Sequence, residues 1–143
     1  MRKINRIVVH YTATYADRAV TKSEVERWHV ARGFKEIGYH FLIHQDGRTE
    51  RGRDIAKVGA HVKGHNVGSI GVAYVGGLYA STGAAKGQDT RTPQQKTALL
   101  DLFKRLIAEY PIDDICGHKD LQPTQCPAFD ARTEYAHLIE VRR

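Results

Sequence analysis

Hydrophobic residues fall in short runs along this chain, and the spacing inside each run indicates the element it builds. Ile4 to Tyr11 holds Ile4, Ile7, Val8 and Val9 in a β-branched stretch, the pattern of a buried strand. Thr21-Lys22-Ser23-Glu24 has the spacing of a capping box, in which Glu24 reaches back to the Thr21 amide. The helix it opens is predicted to run to about Arg32, where Gly33 supplies a left-handed stop. Tyr39 to His44 alternates as a strand, with His40 and His44 on one face and Tyr39, Phe41 and Ile43 on the other. Gln45-Asp46-Gly47-Arg48 then turns the chain into a short return strand.

Ser69 to Val75 reads as a further strand, closed by Gly76-Gly77. The small and polar residues from Tyr79 to Arg91 predict a mobile surface loop. Thr92 caps the next helix, with Pro93 at its first position and Gln95 closing the box. Leu99, Leu102, Phe103, Leu106, Ile107 and Tyr110 keep a helical period, so one face of this helix packs on a sheet. Asp113 to Cys116 is a short strand, and Asp130 caps a last helix through Ile139. Strands and helices alternating irregularly around one sheet give an α/β (α+β) fold, expected as a single domain over residues 1–143.

Composition narrows the class. With 41% hydrophobic and 27% charged residues the chain is globular rather than disordered. No run approaches the ~18 apolar residues of a membrane span, so no membrane insertion is expected. Ile7-Val8-Val9 is too short for a signal-peptide core, which predicts production in the cytoplasm. A net charge of +6 favours polyanionic partners such as nucleic acid, anionic lipid or an acidic cell wall. The basic residues are interleaved with acids, however, and charge alone selects none of these. Two cysteines, Cys116 and Cys126, are too few for a disulfide framework and read as thiols, or as one thiol and one metal ligand.

Three positions carry candidate chemistry. His10 ends the first strand, His118 follows the last short strand, and Cys126 lies between Gln125 and Pro127. Two imidazoles and a thiolate suit zinc, and three protein ligands leave the fourth tetrahedral position for water. Each also has a plainer reading, as a hydrogen-bonded strand end, a turn cap or a small buried thiol. His61 and His65 flank Gly64 in a polar loop that fits a ligand contact or a solvated turn equally well. His29 reads as a packing residue on the first helix and His137 as surface. A glycine-rich phosphate loop, a Gly-x-Ser-x-Gly elbow, paired-cysteine zinc spacing and an RNA-stacking signature are all missing.

Taken in order, several segments match one family. They include Val8-Val9-His10-Tyr11-Thr12, Trp28-His29, Gly38-Tyr39-His40-Phe41, Gly59-Ala60-His61 and Lys63-Gly64-His65-Asn66. They continue with Ser69-Ile70-Gly71-Val72, Gly117-His118-Lys119-Asp120 and Cys126-Pro127-Ala128-Phe129-Asp130. This set, spanning about Ile4 to Tyr135, resembles the type 2 N-acetylmuramoyl-L-alanine amidases, the superfamily of phage lysozyme-like amidases and peptidoglycan-recognition proteins. The resemblance implies a central mixed sheet flanked by helices with a zinc cleft on one face. It carries over His10, His118 and Cys126 as ligands of one zinc ion and Tyr39 as the catalytic tyrosine. Some phage members have a lysine two residues before the cysteine; here Thr124 stands there and is carried over as a second catalytic residue, its hydroxyl able to donate to an oxyanion but bringing no positive charge. His61 and Asn66 match a rim implied to bind substrate.

The resemblance implies hydrolysis of the amide between N-acetylmuramic acid and the L-alanine of the peptidoglycan stem peptide. A phage or prophage endolysin is the leading form, reaching the wall after release. The alternatives are a cytosolic muropeptide-recycling amidase, which usually has a carboxylate at the cysteine position, and a non-catalytic peptidoglycan-binding module, which typically loses that cysteine. Nucleic acid is not an expected partner. Some phage relatives also bind an RNA polymerase, a partner this sequence gives no means to infer.

Overall fold

The first hydrophobic run forms β1 (Arg6–Tyr11), an interior strand of a five-stranded mixed sheet. It pairs in parallel with β5 (Ser69–Tyr74) on one side and with β7 (Asp114–Gly117) on the other. On the far side of β5 lies β3 (Phe41–Ile43), also parallel, and then β4 (Thr49–Arg51), the single antiparallel strand and an edge. The computed structural model describes residues 2–142. A second, two-residue ladder joins β2 (Thr14–Tyr15) to β6 (Gly77–Leu78), and neither strand is long enough to show a periodicity in the sequence.

Both faces of the sheet are covered, as parallel strands require. On one face α2 (Pro93–Glu109) and α3 (Ala131–Arg142) pack Leu99, Leu102, Phe103 and Tyr135 onto Ile7, Val9, Ile70, Val72 and Ile115. On the other, α1 (Lys22–Ala31) sets Val25 against Leu42, Ala73 and Val75. Successive β1 residues alternate, so His10 shares the α1 face with Val8, while Ile7 and Val9 fill the α2 face. This parity places the first candidate ligand in a cleft rather than under a helix.

The caps follow the sequence reading. Thr21 and Thr92 each accept from the third helical amide while Glu24 and Gln95 return the bond. Gly33 takes φ +99° at the end of α1, and the Asp130 carboxylate accepts from the Thr133 amide at 3.1 Å.

Two expectations are corrected. Tyr39 does not follow the alternation with Phe41 and Ile43, because the ladder begins only at Phe41 and residues 38 and 40 lie in bends. Tyr39 instead packs with Val25, Ile37 and Leu42 on the α1 face. The stretch from Tyr79 to Arg91 is a surface loop only in its first part. Thr90 and Arg91 are buried, and the Arg91 guanidinium is tied to Asp89, Glu134 and the Tyr135 hydroxyl while resting 3.4 Å over the Phe129 ring.

Candidate metal centre and cleft

Among the described residues, one group of metal-binding side chains converges: His10, His118 and Cys126, whose donor atoms lie within 4.8 Å of one another. His10 reaches it from the end of β1. His118 opens a single 3-10 turn, His118–Asp120, directly after β7, and Asp120 folds back to accept from the Gly117 amide at 2.8 Å. Cys126 is drawn to the same point by its carbonyl, which accepts from the Lys119 amide at 2.8 Å. Gly117 permits this approach: a Cβ there would lie 2.6 Å from Pro127. His10 Nδ1 faces Cys126 Sγ at 3.8 Å, and the Tyr11 amide donates to the same sulfur at 3.2 Å.

His10 and Cys126 are buried in this group, and His118 is half-buried. Burial, followed by the neighbouring His61 and His118 imidazoles, holds His10 well below its usual 6.5. Burial pushes the Cys126 thiol up to about 12, against the lowering effect of the Tyr11 amide. Two imidazoles and one thiol form a soft nitrogen and sulfur set with the composition of a zinc site. The residues fit the ion that the sequence implies.

A cleft of about 400 Å³ opens over this group, lined by His10, His118, His29, Tyr39, Arg32 and Lys63 among others. The Tyr39 ring lies 5.2 Å from that of His10 and 5.0 Å from that of His29. Burial raises the Tyr39 phenol above its usual 10.0, so its hydroxyl remains a proton donor at neutral pH. His29 Nδ1 accepts from the Gly38 amide at 2.8 Å, which aligns the strand entrance that carries Tyr39. His29, Arg32 and Lys63 are cleft residues that the sequence reading does not include. His29 and Lys63 fall inside matching segments without a role assigned to them, and all three join the cleft only where α1 and the 59–66 loop meet over β1.

The remaining candidates are distributed unevenly. His61 and Asn66 line the cleft wall, but Asn66 Oδ1 accepts from the amides of both His61 and Val62 at 2.9 Å, closing the loop on itself. His61 Nδ1 lies 2.9 Å from His10 Nε2. His65 contributes its carbonyl to the Ser69 hydroxyl at 2.9 Å. Thr124 is exposed, is not among the residues lining the cleft, and accepts from the Cys126 amide at 3.4 Å. Cys116 is buried beside Val8 and Val62, within the sheet rather than at the metal group.

With this geometry in place, the likeness to known proteins covers nearly the whole chain. The family described as N-acetylmuramoyl-L-alanine amidase matches residues 1–129. The chain belongs to that family. This amidase is 40% identical to the endolysin of Enterobacteria phage K11 over 90% of its own length and 83% of the phage protein. It is 27% identical to a peptidoglycan-recognition protein of Drosophila melanogaster, over 94% and 74% of the two chains. Among solved structures, the endolysin amidase LysCS from Clostridium intestinale superposes with a TM-score of 0.80 at 35% identity, covering 96% of this chain and 84% of that one. The amidase is therefore a cell-wall hydrolase, and the mixed α/β fold read from its sequence is the family's. No described helix is long and apolar enough to cross a membrane.

Proposed function

We propose that this amidase is a zinc-dependent endolysin that cleaves the bond between N-acetylmuramic acid and L-alanine in bacterial peptidoglycan. The observation that carries this reading is the convergence of His10, His118 and Cys126, with His10 and His118 lining a cleft that Tyr39 also lines. His10, His118 and Cys126 hold one zinc ion. When bound, the ion supplies a water activated near neutral pH and polarises the scissile carbonyl. Tyr39, kept protonated by burial, donates a hydrogen bond to the oxyanion that develops as the carbonyl is attacked; such donors contribute about 3–4 kcal/mol. Arg32 and Lys63 place positive charge along the cleft, matching the carboxylates of a stem peptide. The Nδ2 amide of Asn66, unpartnered among the described residues, is the group left to contact the glycan or peptide. Thr124 serves the site by bracing the Cys126 loop rather than by reaching the carbonyl. Production is cytoplasmic, and the enzyme reaches the wall after release.

The test is digestion of purified peptidoglycan by the zinc-loaded chain, with products read by mass spectrometry. Stem peptides bearing a free L-alanine amine should appear, vanish with a chelator and return with added zinc. Binding without release would instead identify a recognition module that has kept its ligands.

A further inference from the structure

A histidine ligand offers a metal one of two nitrogens, and the hydrogen bond made by the other decides which. For His10 that decision can be traced through three side chains. The Ser69 hydroxyl has a single proton, and it lies 2.9 Å from the His65 carbonyl and 3.1 Å from the Asn66 carbonyl, neither of which can donate. Its proton is therefore spent on a carbonyl. At the 3.2 Å contact with His61 Nε2, Ser69 must accept. An uncharged His61 protonated at Nε2 has its lone pair at Nδ1, and so accepts from His10 Nε2 across the 2.9 Å contact. His10 is left with its lone pair at Nδ1, the nitrogen that faces Cys126 Sγ.

The sheet is shaped to hold this arrangement. A Cβ on Gly71 would lie 2.6 Å from the His61 ring, and one on Gly59 would lie 2.7 Å from it. Two glycines thus clear a slot for one imidazole. The ring stands edge-on to His10, with centroids 5.0 Å apart, so the bond to His10 Nε2 is built into the packing.

We infer that His61, anchored by Ser69 and seated by Gly59 and Gly71, is a positioning residue that presents His10 to the metal through Nδ1. The inference rests on the zinc reading above. It gives His61 a task different from the substrate contact implied by the family resemblance. A group that touches only substrate would alter KM and leave metal affinity alone, whereas a positioning residue alters metal affinity with no substrate present.

The experiment uses the full chain, with zinc affinity measured by competition against a chromogenic chelator. His61→Phe should weaken zinc binding about 10–100-fold, the range found when an outer partner of a ligand is lost. His61→Gln, whose amide oxygen can accept from His10 while its nitrogen donates to Ser69, should recover most of that loss. Ser69→Ala should cost less, about 3–10-fold, because His61 keeps its slot but loses the acceptor that fixes its proton. Nitrogen-detected NMR of the zinc-loaded wild type should find the His10 proton on Nε2, a readout that needs no variant to fold. A His10 proton on Nδ1, or unchanged affinity in a folded His61→Phe, would overturn the inference. A wild type that binds no zinc would overturn the zinc reading itself, and so the two failures are distinguishable.

Discussion

His10 Nδ1 and Cys126 Sγ stand 3.8 Å apart although 116 positions separate the two residues in sequence. The contact gives the two cysteines opposite expected behaviours. Cys126→Ala should abolish zinc retention after gel filtration, while Cys116→Ala, a change inside the sheet beside Val8, should keep a full equivalent of metal. Metal analysis of the two proteins checks this, and equal loss in both would remove Cys126 from the ligand set.

Tyr39→Phe should retain zinc and the fold while lowering turnover about 10²–10³-fold, the effect of removing one donor to a developing oxyanion. The comparison needs steady-state digestion rates alongside metal content. Full activity in this variant would assign the oxyanion to another donor.

Thr124→Ala should leave turnover within about 3-fold of wild type, because only its contact to the Cys126 amide, at the long distance of 3.4 Å, is removed. A loss comparable to that of Tyr39→Phe would mean that the hydroxyl swings into the cleft during the reaction.

Gly71→Ala should lower stability by about 1–3 kcal/mol, since the added methyl meets the half-buried His61 ring at 2.6 Å. Zinc affinity should fall in the same protein. Denaturant unfolding of the metal-free chain, followed by chelator competition, separates the two effects.

Arg91 links the end of the long loop to α3, and its loss should be pH-dependent. Hydrogen bonds from Arg91 lower the Glu134 carboxyl below its usual 4.5. For Asp89, burial acts to raise the carboxyl, yet the bonds from Arg91 prevail and the net shift is downward from 3.8. Both groups are lowered in the folded state, so their contribution is complete above the unfolded values and disappears as pH falls through the folded ones. Arg91→Leu should cost about 2–3 kcal/mol at pH 7, below the full cost of breaking a buried pair because both carboxylates are partly exposed. The gap between variant and wild type should narrow below about pH 4 when unfolding curves are compared.

The fold is legible where physics is local. The capping boxes at Thr21 and Thr92, the stripe along α2 and the β-branched run of β1 each reflect forces acting within a few residues. The candidate metal group is proposed from ordered motifs alone, since His10 and Cys126 have no local relation to reveal them. What stays hidden depends on meeting across the fold. Tyr39 turns against its expected parity because of bends on either side of it, and Arg91 is buried by partners on α3. Gln122 is open to detection by spacing: it lies four residues after His118, and its Oε1 accepts from His118 Nε2 at 2.7 Å while its amide donates to the Lys63 carbonyl. The bond to the Lys63 carbonyl fixes the orientation of that amide, so its Oε1 faces His118 Nε2. Ser69 offers no such spacing.

The position of β1 between β5 and β7 has a consequence for the order in which the protein is made. His10 leaves the ribosome long before its co-ligands, and the strand that carries it keeps one edge unpaired until residues 114–117 follow. The thiol completing the donor group, Cys126, arrives later still. On the zinc reading proposed above, a nascent chain therefore contains no competent centre until both partners of His10 have been synthesised, and a product truncated before Cys126 is expected to leave the wall uncut.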